Sequence, residues 1–302
     1  MDRDLAFAVD AAVLAGRRAM GLRATGRWKD KLLADIGDQA ADGLLQGLTR
    51  GRHPDDGLLS EETADSRDRL AKHRAWIIDP LDGTKEFSEL RHDFAVHVAL
   101  TLGGKPALGA VALPALEQVM WAVCLPGLER AGIDGTGAGA GTGAAASTGA
   151  AASTGAAAST GAAASTGAAV GSGSGSLTRG DSPSPAAPKI VVSRSHTPDW
   201  TGRFCEAMGV KEQVPLGSVG FKVSRLFAGE ADVYVHKKGL KEWDTCAPEV
   251  IARALGWTVC KLRGEDHRYN QADPKNHELV VCRPAWKQRV IAALASCGAL
   301  ED

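Results

Sequence analysis

Apolar residues recur along this chain with two periods, and the change from one to the other marks out its elements. Near the N-terminus Leu5, Val9, Ala12 and Val13 share one helical face, which predicts a helix over about 4–20, and a second helical pattern covers 39–50. Sheet follows. Residues 75–79, 95–102, 107–113 and 118–123 alternate or run apolar between turn residues, as an antiparallel sheet would. Further along, 189–192 and 231–236 read as strands and 200–208 as a helix. A last helix is predicted over 249–255, with Pro248 in the tolerated first turn and Gly256 as terminator.

Between these two sets the composition changes abruptly. From Gly135 to Pro188 the chain is dominated by Gly, Ala, Ser and Thr, with the hexapeptide TGAAAS starting at Thr142, Thr148, Thr154 and Thr160. Such a segment offers no run of large apolar side chains to offset the entropy of ordering it. It reads as a flexible insertion, closed by the GSGSGS run at 171–176 and by Pro183, Pro185 and Pro188. The expected organisation is an N-terminal α+β half over 1–134, the insertion over 135–188 and a C-terminal α/β half over 189–302.

Composition narrows the class. At 302 residues with 44% hydrophobic residues the chain can build a substantial core, and its formal charge of −1 proposes neither nucleic-acid nor membrane binding. Any anionic ligand must be handled locally. The six cysteines are widely spaced with no CxxC pair, which suits reduced thiols. The N-terminal apolar run is broken by Asp10 and lacks a cleavage site, and no uninterrupted apolar stretch reaches the roughly 18 residues of a spanning helix. A cytoplasmic protein is the expectation.

The candidate chemistry centres on Trp76-Ile77-Ile78-Asp79-Pro80-Leu81-Asp82-Gly83-Thr84. An apolar run typical of a covered strand ends where Pro80 and Gly83 bar its continuation, so two carboxylates emerge at a strand end. Asp79, Asp82 and the Leu81 carbonyl could face one hard cation, which takes oxygen ligands at short range. If the segment from Gly83 and Thr84 is helical, its free N–H groups would cradle a phosphate beside that cation. Leu58-Leu59-Ser60-Glu61-Glu62 ends in acids in the same way, and Asp244 opens a predicted helix. Capping accounts equally well for Asp244, and for Asp38 just before the helix expected from Gln39. Taken together, carboxylates converging from several element ends would repel one another without cations. Two or three Mg²⁺ ions would serve.

The ordered set Ser60-Glu61-Glu62, Asp79-Pro80-Leu81-Asp82-Gly83-Thr84 and Trp243-Asp244 resembles the three motifs of the inositol monophosphatase superfamily of magnesium-dependent phosphatases. Within it, Ser193-Arg194-Ser195-His196 and the run from Trp243 to Ile251 resemble the 3'(2'),5'-bisphosphate nucleotidases, which convert 3'-phosphoadenosine 5'-phosphate to AMP. The resemblance implies a layered αβαβα sandwich with the site between its halves. It implies Glu61, Asp79, the Leu81 carbonyl, Asp82 and Asp244 as Mg²⁺ ligands. Asp38 would hold a weaker ion and orient the attacking water with Thr84, while the Gly83 and Thr84 amides would bind the scissile phosphate.

For the substrate, inositol-specific members carry an acid seven positions before the last motif aspartate, where this chain has Lys237. Cations there suit a second phosphate rather than neutral hydroxyls. Arg194, Ser195, His196 and Lys222 would add contacts to a nucleotide bisphosphate, and Trp200 and Trp243 read as core or wall residues. An inositol or sugar phosphatase on the same scaffold is the alternative, and a non-catalytic nucleotide- or metal-binding protein a more distant one. A homodimer is compatible with the resemblance.

Overall fold

The computed structural model describes residues 1–136, 176–195 and 197–301. The TGAAAS repeats and His196 lie outside the described residues. Helices α1 (Asp2–Ala24) and α2 (Asp30–Arg52) come first. A six-stranded sheet follows in sequential order: β1 (Gly57–Ser60), β2 (Arg74–Asp82), β3 (Ala95–Leu102), β4 (Lys105–Leu113), β5 (Gln118–Leu125) and β6 (Leu128–Gly135). Only β1 and β2 pair in parallel; the other pairs are antiparallel, as the alternation predicts. The short helix α3 (Thr84–Ser88) leaves the end of β2.

The second half holds β7 (Ile190–Ser193), α4 (Thr201–Met208), β8 (Gln213–Leu216), α5 (Val219–Phe227), β9 (Val233–Lys237), α6 (Glu242–Ala254), β10 (Thr258–Cys260), β11 (Glu278–Cys282) and α7 (Lys287–Ser296). Its five-stranded sheet runs β10-β11-β9-β7-β8, with β7 parallel to both neighbours.

Strand periodicity explains the layering. Trp76 and Ile78 of β2, with Val96, Val98 and Leu100 of β3, pack against α1 and α2, whereas Ile77, Ala95 and Ala99 face α5 and α6. In the second sheet Val191, Tyr234, Leu279 and Val281 face the same two helices, while Ile190, Val192, Val233, Val280 and Cys282 pack with α4 and α7 residues. The layers are therefore α1/α2, sheet, α5/α6, sheet, α4/α7, the αβαβα sandwich. Both sheets are covered on both faces, which is why β2 and β3 are almost continuously apolar.

Several boundaries differ from the sequence reading. Helix α2 starts at Asp30, so Asp38 is not a cap but lies mid-helix on the buried face with Leu33, Ala34, Ala41 and Leu45. Helix α6 starts at Glu242, so Pro248 lies inside it rather than in its first turn, and offers no N–H to the Asp244 carbonyl one turn back. Strands β6 and β8 and helix α5 lacked a clear period. The last part of the stretch read as a flexible insertion over 135–188 is packed: the Thr178 amide donates to the Phe227 carbonyl, the Gly180 amide to the Leu255 carbonyl, and Leu177 joins the central core.

Candidate metal and phosphate site

The site forms where the end of β2 meets the N-termini of α5 and α6. Asp79, Asp82 and Asp244 bring carboxylate oxygens within 4.8 Å of one another, the first two buried and the third half-buried. The register of β2 on β3 shifts between Asp79 and Asp82, and this irregularity lets both acids turn to one side. Oδ1 of Asp79 accepts the Leu81 amide N–H at 3.0 Å, while Oδ2 is buried with no hydrogen-bond partner. An unpartnered, fully buried carboxylate oxygen beside two further acids fits a cation ligand.

Asp82 is held from the other half of the molecule. Its Oδ1 accepts the Val219 amide at 3.1 Å and its Oδ2 the Gly220 amide at 2.6 Å, so the first turn of α5 points its free N–H groups at this acid. His97 Nε2 stands 3.2 Å from the same Oδ2 at ion-pair distance without hydrogen-bond alignment, and its Nδ1 lies 3.1 Å from the Trp243 carbonyl. His97 thus ties the β2 end to the residue before Asp244. Asp244 itself accepts the Lys241 amide at 2.6 Å in a capping arrangement, so the capping and ligand readings of this residue coexist.

Burial and mutual repulsion set the charges. Desolvation, with Glu61, Asp82 and Asp244 nearby, drives the Asp79 pKa well above the usual carboxylate range. Burial and Asp82 raise Asp244 to about 7. Burial resists ionisation of Asp82 too, but His97, the Gly220 amide and Lys222 outweigh it and hold that acid below its usual value. Glu61, at the end of β1, keeps its side chain in contact with solvent, yet desolvation on its inner side and the acids Asp244, Glu62, Asp38 and Asp82 raise it to about 8. In Asp38 burial and Glu62 do the same, to about 7. Acids this reluctant to ionise together are waiting for positive charge.

Thr84 links Asp38 to the turn, its hydroxyl lying 3.1 Å from the Leu81 carbonyl and 3.5 Å from Asp38 Oδ1. Gly83 has φ 94°, and a Cβ there would stand 2.9 Å from Cβ of Ser218, so only glycine brings this turn against the α5 cap. Asp42, one turn after Asp38, accepts the hydroxyls of Ser60 and Thr63 and the Gln46 amide, fixing the segment that carries Glu61. A cleft of about 450 Å³ opens beside Glu61 and Trp243, lined also by Asp65, Arg67 and residues 272–275.

Of the residues expected to meet substrate, Lys222 is buried on α5, its Nζ donating to the Gly217 carbonyl and lying 5.2 Å from the Tyr234 ring centre. Burial lowers its pKa to about 8 against the pull of Asp82, Glu86 and Asp244. Arg194 is tied to the N-terminal half through Asp93 at 2.6 Å and Glu86 at 3.5 Å. Ser195 is exposed at the same strand end. Lys237 does not face the acidic group in this arrangement: its Nζ donates to the Glu301 carbonyl. Trp200 is core and Trp243 forms cleft wall. Sequence reasoning missed His97, Asp42 and the Val219–Gly220 amides. A histidine amid an apolar strand was the one signal available for them.

Two packed sheets around a central helical layer, with acids at strand and helix ends, define a class. The sequence profile of the inositol monophosphatase family matches residues 4–299, and the chain belongs to that family of metal-dependent phosphatases. It is 34% identical over 282 residues to the 3'-phosphoadenosine 5'-phosphate phosphatase of Mycobacterium leprae, covering 93% of this chain and 89% of that protein. It is also 28% identical to the 3'(2'),5'-bisphosphate nucleotidase CysQ of Salmonella typhimurium, covering 75% of this chain and 74% of that one. Among solved structures, CysQ from Bacteroides thetaiotaomicron, a bacterial member of the inositol monophosphatase family, superposes with a TM-score of 0.71 at 25% identity over 94% of this chain and 98% of that one. The Thermotoga maritima IMPase shares the fold, with a TM-score of 0.69 at 20% identity and 99% of each chain covered. No described helix is long and apolar enough to cross a membrane.

Proposed function

We propose that this protein hydrolyses the 3'-phosphate of 3'-phosphoadenosine 5'-phosphate, giving AMP and phosphate, with Mg²⁺ as its cofactor. The observation that carries the substrate is the likeness, along most of the chain, to a relative named for that activity. The chemistry rests on the acidic cluster and its unpartnered Asp79 oxygen.

Asp79, Asp82, Asp244, Glu61 and the Leu81 carbonyl would hold two or three Mg²⁺ ions. Bound there, magnesium neutralises phosphate, lowers the pKa of water and stabilises a departing alkoxide. The chain's own residues do the rest. Thr84 and Asp38, whose side chains lie 3.5 Å apart, orient the attacking water, and Asp38 would also hold a more weakly bound ion. The Gly83 and Thr84 amides orient the phosphate. Lys222 contributes positive field from α5, and Arg194 with Ser195, at the end of β7, would meet the second phosphate, with His196 adding a contact to the nucleotide.

Phosphate release by the purified protein in Mg²⁺ is the test. The specificity constant for 3'-phosphoadenosine 5'-phosphate should exceed that for inositol 1-phosphate and fructose 1,6-bisphosphate. A reversed ranking would overturn the nucleotide assignment while leaving the phosphatase class intact.

A further inference from the structure

Arg69 is a buried cation that the chemistry above does not use. It lies in the 3-10 turn Asp68–Ala71 with 2% of its surface exposed. Its guanidinium grips both oxygens of Asp65, through Nε at 3.1 Å and Nη2 at 2.8 Å. From the other side, Nη1 donates to Oδ1 of Asn270 and Nη2 to the Gln271 carbonyl, both at 2.8 Å. Asn270 returns a bond from Nδ2 to the Arg69 carbonyl at 3.0 Å. One planar fork thus joins the loop after Glu61 to the loop between β10 and β11.

Each loop is fastened to an element that leads into an acid of the site. The backbone N–H groups of Asn270 and Gln271 donate to the Glu242 carboxylate at 2.6 and 2.8 Å. Glu242 is fully buried and opens α6, two residues before Asp244. On the other side, a Cβ on Gly57 would stand 2.7 Å from Cβ and 2.9 Å from Cα of Arg69, so the Arg69 backbone lies directly on the start of β1. That strand ends at Ser60, next to Glu61. The two loops, through Asp65 and Arg67 on one side and residues 272–275 on the other, also form the facing walls of the 450 Å³ cleft.

We propose that Arg69 is a positioning residue that sets the spacing between Glu61 and Asp244 and, through it, the affinity of the site for Mg²⁺. The proposal rests on the reading of these two acids as cation ligands. Arg69 touches neither acid. It acts through Glu242 and α6 on one side and through β1 on the other. A lysine would keep the charge but lose the fork, and so would not hold both loops at fixed angles.

Two variants test this. Arg69→Lys removes the fork, while Asn270→Gly removes one partner and keeps a residue suited to φ 56°. Mg²⁺ binding is measured by calorimetry, with melting followed in EDTA. The Mg²⁺ dissociation constant should rise about 10-fold or more in Arg69→Lys and by a smaller factor in Asn270→Gly, the range that outer-shell changes produce. The EDTA melts should stay cooperative. Should Arg69→Lys not fold, Asn270→Gly decides alone. Wild-type affinity in the folded variants, whatever their melting temperature, would overturn the positioning role, provided Asp244→Asn loses binding. Absence of Mg²⁺ binding in the wild type would overturn the ligand reading and this proposal together.

Discussion

Gly220 donates its amide N–H to Oδ2 of Asp82 at 2.6 Å, and it reaches that acid because it has no side chain: a Cβ would overlap Nε2 of His97. The contact joins two halves of the sandwich at the acid with the most readily formed charge in the cluster. Gly220→Ala should therefore push His97 and α5 apart. We expect a stability loss of about 1–3 kcal/mol, the usual cost of overpacking, together with reduced turnover. Denaturant melts and phosphate-release assays check both, and wild-type values in both would contradict the packing described.

Asp79 and Asp82 should respond differently to the same substitution. Asp82 accepts two amides, so Asp82→Asn turns an NH₂ toward an N–H donor and should cost about 1–3 kcal/mol as well as activity. Asp79 has an unpartnered oxygen and a strongly raised pKa, so the metal-free fold must take up a proton to bury it, and Asp79→Asn removes that cost. That variant should lose kcat on the order of 10²–10³-fold or more, yet melt about 2–4 °C higher than wild type in EDTA, the shift about 1 kcal/mol gives at this size. A lower melting temperature for Asp79→Asn would show that its carboxylate stabilises the metal-free fold.

The metal-free protein should lose stability as pH rises. Asp38, Asp244 and Glu61 are raised to about 7, 7 and 8, so the folded state binds protons that the unfolded state has released, and that contribution disappears as pH climbs through these values. His97, also raised, acts in the same sense, while Lys222, lowered to about 8, opposes it above that pH. Melting in EDTA should fall between pH 5 and 8, and Mg²⁺ should restore most at the upper end. Because ligation displaces those protons, calorimetry in two buffers should also show proton release.

Arg194 should prove to be a structural link as well as part of the substrate wall. Its guanidinium is 2.6 Å from an Asp93 that is itself buried and accepts the Gly217 amide at 2.7 Å. Arg194→Ala leaves Asp93 with Arg91 as its remaining charge partner at 3.1 Å, so the loss should fall below the about 3–5 kcal/mol of a buried carboxylate left wholly unpaired, and Arg194 is itself partly exposed. A double-mutant cycle with Asp93→Asn should give a coupling of roughly 0.5–3 kcal/mol. Additive effects would assign Arg194 to ligand binding alone.

Much of this was legible beforehand. The strands from Ala95 and Gln118 begin where alternation placed them, because a sheet covered by helices on both sides demands apolar residues at every covered position. Helix α2 was read as starting nine residues late because its buried stripe includes Asp38 and Asp42, and acids facing inward erase the apolar period that marks a helix. Helix α5 was missed although Ser218 caps it, its hydroxyl accepting the Phe221 amide at 2.9 Å. Its residues are almost all buried between two sheets, so no polar face remained to reveal the turn.

The chain alone determined the composition of the acidic group, since Asp79 and Asp82 are held in one turn by local constraints: Pro80, the Gly83 φ and the Asp79–Leu81 hydrogen bond. What it could not determine is how those acids are charged. Asp82 ionises readily and Asp79 resists, although they sit three residues apart, because only Asp82 meets the α5 amides and His97. Lys237, chosen by its distance in sequence from Asp244, bonds instead to the Glu301 carbonyl, while Lys222 lies within the field of the acids. Electrostatic energy depends on distance through space and on access to water, and both are properties of the assembled layers rather than of neighbours along the chain.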